Sequence, residues 1–440
     1  MRVLQLVAAD RWTGAAATAL QLAEALREAG VDCRLAFRPG RGLEERLLGL
    51  DWCHPILTKE RGPGDLVRAV RRVRGLAAGC DVVHCHLPHD HLLTKLALGS
   101  REQRTVWTHL AGVFAGGRHA PRGASRARSD RATLASSGLR DLRKALSPGQ
   151  GEGDHGEGTA SGGQDGKRGE RGTDLGPRTP ILVRSVRHPD HLKPNLYHRW
   201  LFRDTAGLGL ANSSMVATTR DLPDLRSVPA EVLPVAIESR FAPGCDRDRA
   251  RARLGLPADA VVAGTIGKLD GTRGQDVFLR GLAGAPEVWG LVVGKGPGVP
   301  FLQALSRKLG VAGRLAWAGY AESGLEDLYA AMDIFVFPAA GSDCGHRAIA
   351  EASACGLPTV AADLPGVADL VAPGVTGDLY PAGDPVALGH LLAVWGSDPG
   401  RRHVSGRRAA AVARERWTPG ELAVAGLRLY ARARATTWGG

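Results

Sequence analysis

Hydrophobic and polar positions at the beginning of the chain follow an alternating series. Short apolar runs with the character of buried strands alternate with segments whose apolar residues recur at helical spacing. In chain order these segments are RVLQLV, TALQLAEALREAG, VDCRLAF, DLVRAVRRVRGLAAG and DVVHCH. Strands separated by helices are typical of βαβ units, which build parallel sheets. The pattern therefore predicts a parallel α/β domain.

This series is interrupted and then resumes. From 115 to 179 the strand and helix signals disappear, and eleven of the 33 positions from 147 to 179 are glycine. Such a segment buries too little apolar surface to offset the entropy of ordering, so a disordered insertion is predicted at 115–179. The chain then continues with PILVRSVRH as a strand, LKPNLYHRWLFRDTAG as a helical segment and GLANSSMVATT as a strand-like stretch.

A second alternating series begins after AEVLPVAIESRF. Its segments are VVAGTIGKL, LVVGKGPG, FLQALSRKLG, RLAWAGY, LEDLYAAM, DIFVFPA and LPTVAADL. Two such series predict an α/β fold with two Rossmann-like domains facing across a cleft. We expect a first domain over 1–241, a second over 242–420 and a C-terminal helix over 421–440, for which crossing back to the first domain is a hypothesis. Open α/β sheets bind ligands beyond the carboxyl ends of their strands, so the cleft is the expected site.

Composition narrows the protein class. A chain of 440 residues is too long to fold around a single hydrophobic core, so two domains are expected. Its composition, with 44% apolar and 23% charged residues, is typical of soluble globular proteins. No apolar run is long enough to span a bilayer and the first strand follows no signal peptide, so a cytoplasmic location is expected. The seven cysteines form no CxxC pair, and reduced thiols are expected. In DVVHCH, alternation puts His84 and His86 on one face and Cys85 on the other, which argues against a metal site.

The formal charge of +12 fits nucleic acid, an anionic membrane or an anionic small substrate. The excess arginine lies in alanine- and glycine-rich sequence without the interleaved aromatics of single-strand binders, so no nucleic-acid partner is expected. Peripheral binding to the inner face of the plasma membrane is a further hypothesis, and a solvated helix face is its alternative. It rests on the basic helical pattern that contains Arg68, Arg71, Arg72 and Arg74.

The segment VVAGTIGKLDGTRGQDVFLRG has the features of a phosphate-binding turn. Gly267 lies at the end of a predicted strand, a helix is predicted to open after Gly274, and Lys268 and Arg273 flank the turn. Glycines allow close backbone approach, the helix N-terminus offers unpaired amides, and two cations neutralise a diphosphate. A plain strand-to-helix turn with solvated charges is the alternative interpretation.

Two acids follow in GSDCGHRAIAEASACGLPTVAADLPGVADLV. If Arg347 to Ala354 form a helix, Glu351 projects from its first turns while Asp343 lies in the loop before it. The two carboxylates then address different parts of one ligand. A glycine-bearing loop at a helix N-terminus favours a phosphate or a polar sugar.

Taken together, these motifs resemble glycosyltransferase family 4, which has the GT-B fold. GTIGKL with Arg273–Gly274 is similar to the family's strand and basic turn, LVVGKGPG to its glycine-rich strand end, and GSDCGHRAIAEASACGLPTVAA to its pair of acids separated by seven residues. In the first domain, Thr13–Gly14–Ala15 stands at the family's glycine pair, and DVVHCH is similar to its strand with two spaced histidines.

The resemblance implies roles for these residues. Glu351 would bind the nucleotide ribose, Asp343 the hydroxyls of the donor sugar, and Lys268 and Arg273 the diphosphate. Further donor contacts would come from Gly14, Gly267, Gly345, His346, Arg347 and Ala348. Four departures from the family pattern are visible. Asp343 stands where the family usually has Glu, and Lys268 stands where Arg is common. A single glycine is present at Gly14 where two are usual, and Cys344 to His346 differ from the usual glycine and aromatic residues.

The family also uses a first-domain histidine against the donor sugar, and two positions compete for this role. His188 is preferred, because in the resembling proteins a helix after DVVHCH leads directly to a strand like ILVRSVRH. His109 keeps the family's sequence distance from the spaced histidines and stays the alternative.

The resemblance therefore implies transfer of a sugar from a nucleoside-diphosphate sugar, with retention of configuration and without a metal or a cofactor. Lys268, Arg273, Asp343 and His188 would be the catalytic residues. The expected acceptor is a glycan or a lipid-linked glycan of cell-envelope polysaccharide synthesis. The alternatives are a non-catalytic sugar-nucleotide-binding protein, a sugar-nucleotide epimerase of the same fold, and a basic nucleic-acid-binding module.

Overall fold

The computed structural model describes residues 1–9, 13–40, 42–47, 49–57, 63–99, 179–321, 323–339 and 346–438. The predicted insertion at 115–179, except for its last residue, and His109 lie outside these ranges. The described residues contain two parallel sheets with helices packed on them. The predicted α/β class is confirmed.

The first sheet has the strand order β3-β2-β1-β4-β5-β6-β7, and every described pair is parallel. Its strands are β1 (Arg2–Val7), β2 (Asp32–Phe37), β3 (Cys53–His54), β4 (Val82–Cys85), β5 (Ile181–Val186), β6 (Thr205–Leu210) and β7 (Ala230–Val232). The central strands are buried almost without interruption, as expected for a sheet that helices cover on both faces.

The helices of this part are α1 (Gly14–Glu28), α2 (Glu44–Leu47), α3 (Pro63–Ala77), α4 (Pro88–Leu98), α5 (Leu196–Phe202) and α6 (Ser213–Asp221), with a 3-10 turn at Pro189–Leu192. The apolar pattern had suggested that the first helix begins at Thr18. It begins four residues earlier, because the Thr13 hydroxyl accepts a hydrogen bond from the Ala16 N–H at 3.2 Å and caps the helix.

The prediction for 192–219 is right for a helix in its first part and wrong for the strand in its second part. The stretch expected to be helical contains the short helix α5 and then the start of β6, and the stretch expected to be a strand is mostly helix α6. Asn212 caps α6 by accepting a hydrogen bond from the Met215 N–H at 3.0 Å. The strand was missed because its sequence TAGLGL lacks a run of β-branched residues, and tertiary contacts override that weak local preference.

The second sheet has the order β10-β9-β8-β11-β12-β13, again parallel. Its strands are β8 (Val261–Ile266), β9 (Val288–Val293), β10 (Leu315–Gly319), β11 (Ile334–Phe337), β12 (Thr359–Asp363) and β13 (Gly377–Pro381). The helices that follow β7 in the chain are α7 (Arg247–Leu254), α8 (Gln275–Ala283), α9 (Val299–Lys308), α10 (Leu325–Ala330), α11 (Arg347–Ala354), α12 (Pro385–Ser397), α13 (Pro399–Arg416) and α14 (Pro419–Trp438). Helix α11 has the predicted bounds.

A buried arginine joins α7 to this sheet. Arg251 is 1% exposed, and its guanidinium donates to the carbonyls of Ala258 and Ala260 at 2.7 Å each and to Asp333 Oδ2 at 2.7 Å. The same carboxylate oxygen accepts from the Val262 N–H at 2.7 Å. The charge is thus paired and its donors are used, which is the condition for burying an arginine.

The last helix packs on the first sheet. Leu429 and Ala433 of α14 lie against β6, where a Cβ on Gly207 would be 3.0 Å from Leu429 and 3.1 Å from Ala433. Gln5 of β1 donates from Nε2 to the Tyr430 hydroxyl at 3.0 Å. The first domain therefore contains both an N-terminal strand and the C-terminal helix.

Within the described ranges, no helix is both long and apolar enough to cross a membrane. The six cysteines that the structure describes are free thiols, and five of them have a pKa raised chiefly by burial. Burial also raises the pKa of Cys245, which is only partly covered.

Candidate functional site

The loop after β8 forms the first part of the candidate site. Gly267 directly follows the strand and donates its N–H to the Val293 carbonyl at 3.0 Å. Gly274 precedes α8 with a φ of 71°, and a Cβ there would lie 1.6 Å from the Pro338 carbonyl oxygen. This loop therefore lies directly against the chain that follows β11, and only glycine allows the contact.

The glycines of LVVGKGPG support this loop from behind. A Cβ on Gly294 would lie 1.9 Å from the Gly267 carbonyl oxygen, and one on Gly296 would lie 2.1 Å from the Leu269 carbonyl oxygen. The absence of side chains allows the loop after β9 to pack on the loop after β8. These glycines thus fix the backbone that carries the predicted cations.

Lys268 is the first of these cations, and a carboxylate restrains it. Its side chain is 65% exposed, and its Nζ lies 2.8 Å from Asp270 Oδ2. Thr272 donates to Asp270 Oδ1 from its hydroxyl at 2.6 Å and from its N–H at 3.1 Å. The bonds from Lys268 and Thr272 hold the pKa of Asp270 well below its usual range. Sequence reasoning missed Asp270, although its position two residues after Lys268 was a visible signal.

The N-terminus of α11 forms the second part of the site. Asp343 and Gly345 lie outside the described residues, and the description resumes at His346, which precedes the helix with a φ of 33°. Its buried ring packs edge-on against Phe337 at 5.3 Å, and its Nε2 lies 3.3 Å from the Pro365 carbonyl, to which it can only donate.

Two cations lie near this helix N-terminus. The pKa of His346 is lowered to about 4, chiefly by burial, and the charges of Arg187 and Arg273 contribute. Arg187 follows β5 of the first sheet, whereas Arg273 lies on the loop after β8. The fold therefore brings positive charge from both domains to the start of α11. Sequence reasoning missed Arg187, which stands beside the preferred His188.

Glu351 lies in the second turn of α11 and is 6% exposed. Its Oε2 accepts from the Tyr329 hydroxyl at 2.9 Å, and its Oε1 accepts from Nε of Arg347 at 2.7 Å. The Tyr329 hydroxyl also lies 3.3 Å from the Ala348 carbonyl. A carboxylate offers about four lone-pair positions, so two bonds leave acceptor capacity on each oxygen. Tyr329 was not recognised from the sequence.

Arg347 extends this arrangement to the first domain. Its Nη1 donates to Oε1 of Gln21 in α1 at 3.0 Å, and its Nη2 donates to Oε1 of Glu238 at 3.0 Å. The sequence had suggested only that Arg347 contacts the donor substrate, the sugar nucleotide. Its partners lie 326 and 109 positions away, and no local pattern relates residues so far apart.

The first-domain candidates lie at the ends of β1 and β5. Gly14 begins α1, and a Cβ there would meet nothing within 4 Å. His188 is about one-third exposed, and its Nδ1 accepts from the Asp190 N–H at 3.2 Å at the start of a 3-10 turn. Arg187 donates from Nη1 to the Thr18 hydroxyl at 2.9 Å, which ties the end of β5 to α1.

The spaced histidines are buried between the sheet and α14. The rings of His84 and His86 stack at 4.6 Å, whereas Cys85 lies on the other face, 3.0 Å from the Thr94 hydroxyl, so the predicted alternation is confirmed. His86 Nε2 donates to Gln5 Oε1 at 2.7 Å. Among the described residues, no group of three histidine, cysteine or carboxylate side chains could hold a metal ion.

A second contact joins the two domains beside His346. Ser213, at the start of α6, donates to Asp369 from its N–H at 2.7 Å and from its hydroxyl at 2.6 Å. A Cβ on Gly366 would lie 2.3 Å from Nδ2 of Asn212, so the backbones approach closely here. A cavity of about 600 Å³ lies next to this contact.

The chain has two facing parallel α/β domains, with cations and a helix N-terminus at the carboxyl ends of β8 and β11. This arrangement is that of the GT-B class of proteins. Solved structures share this fold. HepE of Anabaena, crystallised with UDP and glucose, has a TM-score of 0.68 at 17% identity, over 98% of this chain and 99% of that one. Sucrose-phosphate synthase of Thermosynechococcus elongatus has a TM-score of 0.65 at 17% identity, over 99% and 100%.

Family models match both domains. The model of glycosyl transferases group 1 matches residues 246–412, and the model of glycosyltransferase family 4 matches residues 12–141. The chain belongs to glycosyltransferase family 4, as its motifs had suggested.

Curated relatives match part of the chain. D-inositol 3-phosphate glycosyltransferase of Xylanimonas cellulosilytica is 34% identical over 244 residues, which are 51% of this chain and 58% of that protein. The protein of the same name from Streptomyces avermitilis is 33% identical over 190 residues, which are 39% of this chain and 40% of that protein. The matches thus span about half the length of these relatives.

Proposed function

We propose that this family member transfers a sugar from a nucleoside-diphosphate sugar to an acceptor, with the donor bound between the domains. One observation carries the proposal. Gly274 packs against Pro338, which places the loop with Lys268 and Arg273 at the end of β11, and the charge of Arg273 acts on His346 at the start of α11. Cations beside a helix N-terminus are a favourable place for a diphosphate. The structural neighbour HepE was solved with UDP-glucose as well as with UDP.

Each candidate residue has a role in this proposal. Glu351 accepts hydrogen bonds from the ribose hydroxyls on its remaining lone pairs, and Asp343 holds hydroxyls of the donor sugar. Lys268 and Arg273 bind the diphosphate, and His188 faces the donor sugar from the first domain. Further donor contacts come from Gly14, Gly267, Gly345, His346, Arg347 and Ala348.

The proposed transfer proceeds with retention. The bond from the anomeric carbon to the phosphate oxygen breaks, the bond to the acceptor oxygen forms on the same face, and the acceptor proton passes to the leaving phosphate. Negative charge grows on the departing diphosphate, and Lys268, Arg273 and the helix amides stabilise it. Since these groups belong to the chain itself, we propose that no metal ion or further cofactor takes part.

We assign the acceptor to the first domain and the protein to the cytoplasm. A glycan or lipid-linked glycan of the cell envelope is the proposed acceptor. The names of the curated relatives favour a second candidate, a phosphorylated cyclitol. Both acceptors should be offered to the enzyme together with each donor.

We also propose peripheral membrane binding through α3. Arg68 pairs with Asp65, while Arg72 and Arg74 donate to main-chain carbonyls at 3.3 and 2.9 Å. Asp65 offsets the charge of Arg68, and the two carbonyls occupy N–H donors of Arg72 and Arg74 that could otherwise reach lipid headgroups. Flotation with vesicles rich in anionic lipid should show binding that salt weakens, and no flotation would remove the proposal.

The test of the proposed function is donor turnover. UDP-, GDP- and ADP-sugars are incubated with the wild type and with the variants Arg273→Ala and Glu351→Ala. The control variant is Arg280→Ala, which changes an exposed arginine of α8, the helix that follows Arg273. Loss of a group that stabilises the leaving diphosphate lowers kcat by roughly a hundredfold or more, so Arg273→Ala should do so while Arg280→Ala does not. Unchanged turnover in Arg273→Ala and Glu351→Ala would refute the assignments.

The same experiment separates the alternatives. Tight binding of a sugar nucleotide without release of the nucleotide indicates a non-catalytic binding protein. Interconversion of the sugar without transfer to an acceptor indicates an epimerase.

A further inference from the structure

Glu351 stands at the end of a chain of alternating charges. Arg240 donates from Nη1 to Oε2 of Glu326 and from Nε to Oε2 of Glu238, both at 2.8 Å. Glu238 accepts in turn from Arg347, which also donates to Glu351. The series therefore runs from α10 through the segment between β7 and α7 to the buried carboxylate of α11.

Arg347 is the branch point of this chain. Its guanidinium uses Nε for Glu351 at 2.7 Å, Nη2 for Glu238 at 3.0 Å and Nη1 for Gln21 at 3.0 Å. Three nitrogens in one plane thus serve three acceptors from α11, the inter-domain segment and α1. A lysine ammonium cannot reproduce this fork, because it is a point charge on a flexible stem.

The bond from Arg347 affects the chemistry of Glu351. The carboxylate is 6% exposed, and a buried charge without a partner is strongly unfavourable. Arg347 supplies the compensating charge and directs one oxygen, while Tyr329 directs the other. Since both oxygens are fixed, the remaining lone pairs have a defined direction.

We propose that Arg347 is a positioning residue, which fixes the Glu351 carboxylate for the donor ribose and, through Gln21, makes this fixation depend on the first domain. The proposal rests on the function proposed above for Glu351. It assigns an influence on donor affinity to Gln21, a residue of α1 that is linked to Glu351 through Arg347.

The first variant removes the first-domain partner alone. Gln21→Leu deprives Nη1 of its acceptor, and loss of one hydrogen bond to a charged group should weaken nucleotide binding roughly tenfold. Gln21→Glu keeps an acceptor and should bind within about threefold of the wild type. Arg347→Met should weaken binding roughly a hundredfold and raise the donor KM more than it lowers kcat. Arg347→Lys should restore little of this loss.

Ser213→Ala is the matched control, because it weakens a different contact between the two domains. Ser213 links the domains through Asp369 and lies outside the charged chain. If Gln21 acts by positioning Glu351, Ser213→Ala binds the nucleotide like the wild type. Equal weakening in Ser213→Ala and Gln21→Leu would overturn the proposal, because it would trace the effect to domain contact in general.

The decisive measurement is a double-mutant cycle by isothermal titration. UDP, GDP and ADP are titrated into the wild type, and the tightest of the three is used throughout. Gln21→Leu should weaken binding in the wild-type background and have no further effect in Glu351→Gln, because both changes remove the same coupling. Additive losses would overturn the proposal.

The other outcomes separate this inference from the proposed function. If Glu351→Gln weakens binding and Gln21→Leu does not, the positioning role is wrong and the ribose role stands. If Glu351→Gln binds like the wild type, or if the wild type binds none of the three nucleotides, both are wrong.

Discussion

Replacing His84 with glutamine tests how acid destabilises the first domain. His84 is fully buried, with Nδ1 2.7 Å from the Tyr430 hydroxyl and Nε2 2.8 Å from the Ser185 hydroxyl. Burial, with a contribution from Arg184, lowers its pKa to about 3. The folded protein therefore keeps this ring neutral at pH values where the unfolded chain, with a pKa near 6.5, binds a proton.

The sign and size of the effect follow from this difference. As the pH falls below about 6.5, each such histidine lowers the free energy of unfolding by about 1.4 kcal/mol per pH unit until its folded pKa is reached. Burial puts the pKa of His86 and His91 well below the usual value, so both add to this loss. Asp90 acts in the opposite direction. Burial raises its pKa to about 7, so as the pH falls this carboxyl group binds its proton first in the folded state, which raises the free energy of unfolding. The three histidines outnumber this one carboxyl group, so the net effect of acid on the four groups is to lower the free energy of unfolding.

The assay is urea unfolding at pH 7, 6 and 5, followed by tryptophan fluorescence. His84→Gln should be less stable than the wild type at pH 7 by about 1–3 kcal/mol, since its partners lose well-placed bonds. Its stability should then fall less steeply with acid, by about 1.4 kcal/mol per pH unit. His403→Gln, which changes an exposed residue of α13, should keep the wild-type slope. Parallel curves for His84→Gln and the wild type would refute the reasoning.

Two further predictions concern the second domain. Gly274→Ala should destabilise this domain by more than about 2 kcal/mol, because the added Cβ would lie 1.6 Å from the Pro338 carbonyl oxygen at a φ of 71°. Thermal unfolding with and without UDP measures the loss of stability, and an unchanged unfolding midpoint would contradict the prediction. Arg251→Met should lower the free energy of unfolding by about 1.5–3 kcal/mol, because the Asp333 carboxylate loses one of its two arginine partners and keeps Arg247 at 3.1 Å. The double variant with Asp333→Asn should recover part of this loss in the same urea experiment, and no recovery would show that the charge pair is not its cause.

Local patterns in the sequence were sufficient for much of the architecture. The helix from Arg347 to Ala354 has its predicted bounds, and the alternation in DVVHCH put the two histidines on the correct face. Both features depend on residues within one turn or one strand, where side-chain periodicity decides the geometry. The missed strand β6 marks the limit of such patterns, since its sequence TAGLGL has little local preference of its own.

The partners of the candidate site could not be predicted in this way. Glu351 was recognised as a ligand-binding acid, but its bonds to Tyr329 and Arg347, and the link onward to Gln21, depend on how α10, α11 and α1 meet. The roles of Gly294 and Gly296 also became clear only when the loop after β9 was seen against Leu269. Such contacts are set by tertiary packing, and the chain carries no nearby signal for them.

The hydrogen bond between Gln5 and Tyr430 has a consequence for biosynthesis, because 425 positions separate its two residues. A ribosome releases the second sheet and its helices before it releases the segment that completes the first domain. We therefore expect the domain that is synthesised first to reach its native state last, after the domain that follows it in the chain. Loss of a few turns at the carboxyl terminus should accordingly damage the amino-terminal half of the molecule more than the half to which those turns are joined.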